Sequence, residues 1–94
     1  MSAQSLEQEL ESLIESADYT VAVFAGDNYL SLRIIYLPRL QVRGEGGLAY
    51  IANGVIAEHS WIMRNSGRRW RKARKWVAAE VAGHREFLQM ARQA

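Results

Sequence analysis

Few side chains in this sequence are suited to chemistry. Histidine occurs only at His59 and His84, and cysteine is absent, so neither a disulfide framework nor a thiolate metal site is available. Glu80 and His84 are spaced i, i+4, which places both on one helix face where they could share a metal ion. No further ligand is signposted. The plainer reading is a half-buried histidine in a helix stripe with a local carboxylate partner. His59 adjoins Ser60, but neighbouring residues on a strand point to opposite faces and cannot act as base and nucleophile together. Glu7, Glu9, Glu11, Glu15 and Asp18 cluster as a solvated face, with no apolar pocket implied to raise a carboxyl pKa. Arg43-Gly44-Glu45-Gly46-Gly47 lacks the Lys-Ser/Thr ending of a phosphate loop and runs into a strand-like segment, so it reads as a connection between strands. These residues predict no catalytic site, no metal and no cofactor, and the chain is expected not to be an enzyme.

What remains is recognition chemistry. Six of the eight residues from Arg68 to Lys75 are cationic, and Trp70 and Trp76 are set into and beside the run. The run opens a helical pattern. A helix N-terminus carries partial positive charge, so cations there oppose the macrodipole and repel one another. Folding gains nothing from that placement, which points to something outside the fold or to an acidic surface within it. The net charge of +2 conceals the layout. Residues 1–18 carry five carboxylates and no cation, whereas residues 64–75 carry seven cations and no anion. The candidate binding residues are Arg68, Arg69, Arg71, Lys72, Arg74, Lys75 and Trp76. Their partner is read as nucleic acid, where Arg and Lys neutralise phosphates and an edge Trp stacks on a base, or as an acidic protein surface or ribonucleoprotein complex, where Arg and Trp are common hot spots. The plain alternative is a solvated face partly neutralised by the acidic N-terminal segment.

The elements that must position these residues follow from periodicity. Ser5-Leu6-Glu7-Gln8 reads as a capping box, and Leu6, Leu10, Leu13 and Ile14 share the apolar side of a short helix over residues 5–17. From Tyr19 the pattern becomes β-branched and aromatic. Strands are expected over residues 19–24 and 29–37, the second either ended by Pro38 or bent there and extended through Leu40 and Val42 after a bulge. Asn53-Gly54 between residues 48–52 and 55–63 signals a hairpin, because a type I′ turn needs positive φ at both central residues. A long helix over residues 67–92 closes the chain, with Trp70, Ala73, Val77, Val81, His84, Leu88 and Ala91 on its inner stripe. Trp76 then falls roughly 120° from Trp70, at the edge of the apolar face on the same flank as Arg69 and Lys72. The expectation is one α+β domain over residues 1–94: an antiparallel meander sheet of three to four strands, α-β-β-β-β-α, with the short N-terminal and long C-terminal helices packed on one face. No apolar run reaches the roughly 20 residues of a membrane span and no signal peptide is evident, so no membrane is expected and a cytoplasmic location is. Trp61, Trp76, Tyr29, Tyr36, Tyr50, Phe87 and Met90 exceed what one face of a small sheet and two helices easily bury, which reads either as half-exposed amphipathic aromatics or, the favoured reading, as a homodimer interface or partner-binding patch.

The order of helix, strands and basic-started helix resembles the double-stranded-RNA-binding domain. There a lysine cluster at the start of the last helix contacts phosphates and precedes paired alanines. Arg71, Lys72, Arg74 and Lys75 ahead of Ala78-Ala79 are similar, with spacing that differs by one residue. The resemblance implies direct RNA or DNA binding through those cations. A second likeness is to a type: a small, cysteine-free, motif-free α+β domain with a dense charge patch resembles phage-encoded inhibitors such as anti-CRISPR proteins. That likeness implies an inhibitor or accessory factor of a nucleic-acid-handling complex, which is the role favoured at this level, with direct nucleic-acid binding as the alternative.

Overall fold

The switch from helical to alternating periodicity at Tyr19 marks the centre of the architecture. The structure, a computed structural model, describes residues 3–38, 40–44, 47–51 and 54–93. In chain order the elements are α1 (Ala3–Ile14), β1 (Tyr19–Ala25), β2 (Tyr29–Tyr36), β3 (Leu40–Gly44), β4 (Gly47–Ile51), β5 (Gly54–Ile62) and α2 (Gly67–Gln93). β1, β2 and β5 form an antiparallel three-stranded sheet in the order β1-β2-β5, and β3 and β4 pair separately with each other. The protein is α+β, with a short N-terminal helix and a long C-terminal one.

Period-two alternation selects the covered face. Tyr19 and Val21 of β1 lie opposite Tyr36 and Ile34 of β2, and all four are buried together with Leu30 and Leu32. Across β2, Trp61, His59 and Ala57 of β5 stand opposite Leu30, Leu32 and Ile34. The register shifts between Ile34 and Ile35, whose partners are Ala57 and Val55, so Ile56 is the bulged residue. Leu6, Leu10 and Ile14 of α1 and Trp70, Ala73, Val77, Val81 and Leu88 of α2 join the same buried cluster, so both helices lie on this face. Removing a side chain of this kind from water stabilises by about 1.5–3 kcal/mol. The opposite face carries Phe24, Tyr29, Val55 and Ile62 largely exposed, around an Arg33–Glu58 ion pair of 3.4 Å and a Ser60–Ser31 hydroxyl hydrogen bond of 2.9 Å.

Several expectations need correction. α1 begins at Ala3, so Ser5 lies within the helix rather than capping it, and the helix stops at Ile14 because Glu15 takes the left-handed conformation, φ 52°. The fourth strand is not part of the sheet. The runs flanking Asn53-Gly54 do not pair with each other: β4 pairs with β3, ending on Gly44 opposite Gly47, while β5 pairs with β2. Asn53 itself lies outside the described residues. The physical reason is that Asn-Gly is a local signal, whereas β5 brings Ala57 and Trp61 onto the core when it pairs with the central strand. Leu40 and Val42 do not continue β2 past Pro38. The chain leaves after the Leu37 amide donates to the Asp18 carbonyl at 2.8 Å, and β3 starts a separate ladder.

α1 is tied to its neighbours by polar contacts as well. Thr20 Oγ1 of β1 donates to Glu11 Oε1 at 2.8 Å, and Arg85 Nη2 of α2 donates to the Ile14 carbonyl at 2.9 Å. The latter places a cation on the last carbonyl of α1, where the helix dipole favours it.

Candidate functional site

The amino-terminal half of α2 is fixed by its approach. The Met63 amide donates to the Asn28 carbonyl at 2.8 Å and the Asn65 amide to the Asp27 carbonyl at 3.1 Å, pinning the β5–α2 connection to the β1–β2 turn. Helical rotation of about 100° per residue then sorts the cations by direction. Arg68, Arg71, Lys72 and Lys75 fall within an arc of about 100° centred opposite buried Val77, and all four are exposed. None of them takes part in an ion pair among the described residues.

Arg69 does not belong to that face. Its side chain turns inward, 4% exposed, and Nη1 donates to the carbonyls of Gly26 at 2.7 Å, Tyr29 at 2.9 Å and Met63 at 3.3 Å. A buried guanidinium is costly unless its protons are taken up, and these three carbonyls share the two on Nη1. Arg69 is therefore a peg between α2, β5 and the β1–β2 turn. Arg74 faces the other flank, where its Nη1 meets Glu9 Oε1 of α1 at 2.5 Å. The acidic first helix thus neutralises one cation of the run, and the remaining four point outward.

Trp70 is buried as the anchor that the helix stripe implies. Trp76 lies half-buried about 40° beyond Lys72 around the helix and meets two residues of β5. Its ring centroid is 5.7 Å from Trp61, edge-on, and 5.9 Å from His59, with 27° between the planes. His59 and Trp61 are themselves 4.4 Å apart and nearly perpendicular. With Lys72, Lys75 and Ala79 these rings line an open groove of about 360 Å³ between β5 and α2. His59 is not among the residues the sequence singles out for binding, and Trp61 figures there only among the surplus aromatics, apart from the cationic run. Their signal was the i, i+2 spacing that puts both on the face of β5 turned toward α2, and it becomes readable only once β5 is known to be an edge strand.

His84 has a partner other than Glu80, which is exposed. Its Nδ1 lies 2.7 Å from the Tyr19 hydroxyl, and its ring packs edge-on against Tyr36 at 4.7 Å. Burial pushes the imidazole below its ordinary value of 6.5 and the Tyr19 phenol above its ordinary 10.0. A phenol that keeps its proton donates, so neutral His84 accepts at Nδ1 and carries its own proton on Nε2. Stability from this arrangement is complete above pH 6.5 and is lost as pH falls from there toward the depressed folded value. Melting temperature is therefore expected to fall as the pH is lowered below about 6.5, and His84→Asn, which keeps an acceptor but does not titrate, is expected to flatten that fall. Parallel curves for the two proteins would refute the assignment.

Among the described residues no group of three His, Cys, Asp or Glu is placed to hold a metal ion, and no helix is long and apolar enough to cross a membrane. No protein family, curated protein or solved structure matches this chain.

Proposed function

We propose that this is a non-enzymatic binding protein that docks nucleic acid, free or within a nucleic-acid-handling complex, through the outward face of α2. The observation that carries the reading is the direction of the charges: Arg68, Arg71, Lys72 and Lys75 share one exposed arc with no ionic partner among the described residues. Four like charges spaced i, i+3 and i, i+4 on one helix face repel one another, and a polyanion removes that conflict. The aromatic groove beside Lys72 and Lys75 favours nucleic acid over an acidic protein, since it sets flat apolar rings against the cations. Inhibition of a nucleic-acid machine, in the manner of small phage-encoded inhibitors, is the biological role this surface would serve by covering or competing for the nucleic-acid path.

An electrophoretic mobility shift at about 50 mM salt, with RNA and DNA in single- and double-stranded form, tests the reading. A shift with at least one of the four is expected. Absence of any shift would reassign the surface to an acidic protein partner.

A further inference from the structure

We infer that the groove between β5 and α2 is a stacking subsite for an unpaired nucleobase of a single strand, with Lys72 and Lys75 on its flanking phosphates. This rests on the nucleic-acid reading above and adds the form of nucleic acid preferred. The chemistry of the lining selects the ligand. His59, Trp61 and Trp76 present π-surfaces at centroid separations of 4.4 to 5.9 Å, which suits a flat ring added to the cluster. A methylated ammonium group would also suit an aromatic cluster, but Lys72 and Lys75 at the rim repel a cation and attract an anion. A nucleotide unites a flat ring with adjacent negative charge, and so matches both parts of this lining.

Two further features agree. Ala79 lies one turn beyond Lys75 and Trp76, so the groove stays open where a longer side chain would fill it. Every base has a π-face, so stacking on these rings does not depend on which base is presented. Bases in a duplex are stacked on each other and withheld from such a surface. The subsite therefore discriminates by strandedness and tolerates sequence.

The test measures binding of the full chain to a fluorescent oligothymidine of about ten nucleotides and to the same strand annealed to its complement, by anisotropy, with quenching of intrinsic tryptophan fluorescence as a second readout. The single strand is expected to bind about 5- to 150-fold more tightly than the duplex and to quench tryptophan. Trp76→Ala should bring that ratio close to one. Because Trp76 also packs against the core, Ala79→Leu provides the second variant: it narrows the groove beside Trp76, keeps every cation and suits a helix. Equal affinity for the two forms, or a preference that survives Ala79→Leu, would overturn the subsite while leaving the cationic face intact as a nucleic-acid surface. Failure to bind either form would overturn both readings.

Discussion

Replacing Arg69 with alanine is expected to lower the free energy of unfolding by about 3 kcal/mol, a large share of the stability of a small domain. The guanidinium holds carbonyls from Gly26, Tyr29 and Met63, which come from the turn after β1, the start of β2 and the segment after β5. The Tyr29 carbonyl also accepts from the Gly26 amide at 3.0 Å and keeps that partner. The carbonyls of Gly26 and Met63 lose the contact, and a void opens beneath α2. Arg69→Lys restores the charge but not the planar fork, so it is expected to recover only part of the loss. Arg68→Ala, one residue earlier on the solvent side, is expected to change stability by no more than about 0.5 kcal/mol. Urea denaturation of the three variants measures the contrast. Equal midpoints for Arg69→Ala and Arg68→Ala would show that Arg69 is no peg.

The second large effect concerns binding. Reversing Arg71, Lys72 and Lys75 to glutamate is expected to remove nucleic-acid affinity altogether, with the fold retained. Those side chains lie at the solvent pole of α2, so no core contact is lost, and glutamate is a good helix former. Arg74 is left out of the set, because its partner Glu9 makes it a link between the helices. Arg74→Glu would place like charges together there, costing stability of the order of 1 kcal/mol while leaving the outward face in place. Circular dichroism and a melt establish that the triple variant folds. Retained binding in a folded triple variant would remove Arg71, Lys72 and Lys75 from the site.

How far these features were legible depends on the range of the interaction that decides them. α1, β1, β2, β5 and α2 announce themselves through apolar spacing, because period and burial are local consequences of which face meets the core. Trp70 as an anchor and Trp76 at the margin follow from helix rotation alone. The partner of β5 was not legible: the Asn53-Gly54 dipeptide favours a nearby hairpin, and only the competition for the central strand β2 decides otherwise. Arg69 was not legible either. It shares a flank with Trp76, and nothing local says that carbonyls of a turn some forty residues earlier wait for it. The same holds for His84, whose partner Tyr19 lies across the fold while Glu80 sits one turn away. The division of the cationic run into a peg, an inter-helix link and an outward face is a tertiary fact that composition does not carry.

The dependence of affinity on salt tests the outward cationic face most directly. Anisotropy of a labelled single strand bound by the unaltered chain, followed from about 50 to 200 mM salt, should give a log–log slope near −3, since four exposed cations neutralising phosphates contribute about 0.7 each on a single strand. Affinity would then fall about 50-fold across that range. A slope near zero, or no binding at the lowest salt, would contradict the claim that Arg68, Arg71, Lys72 and Lys75 form a nucleic-acid surface.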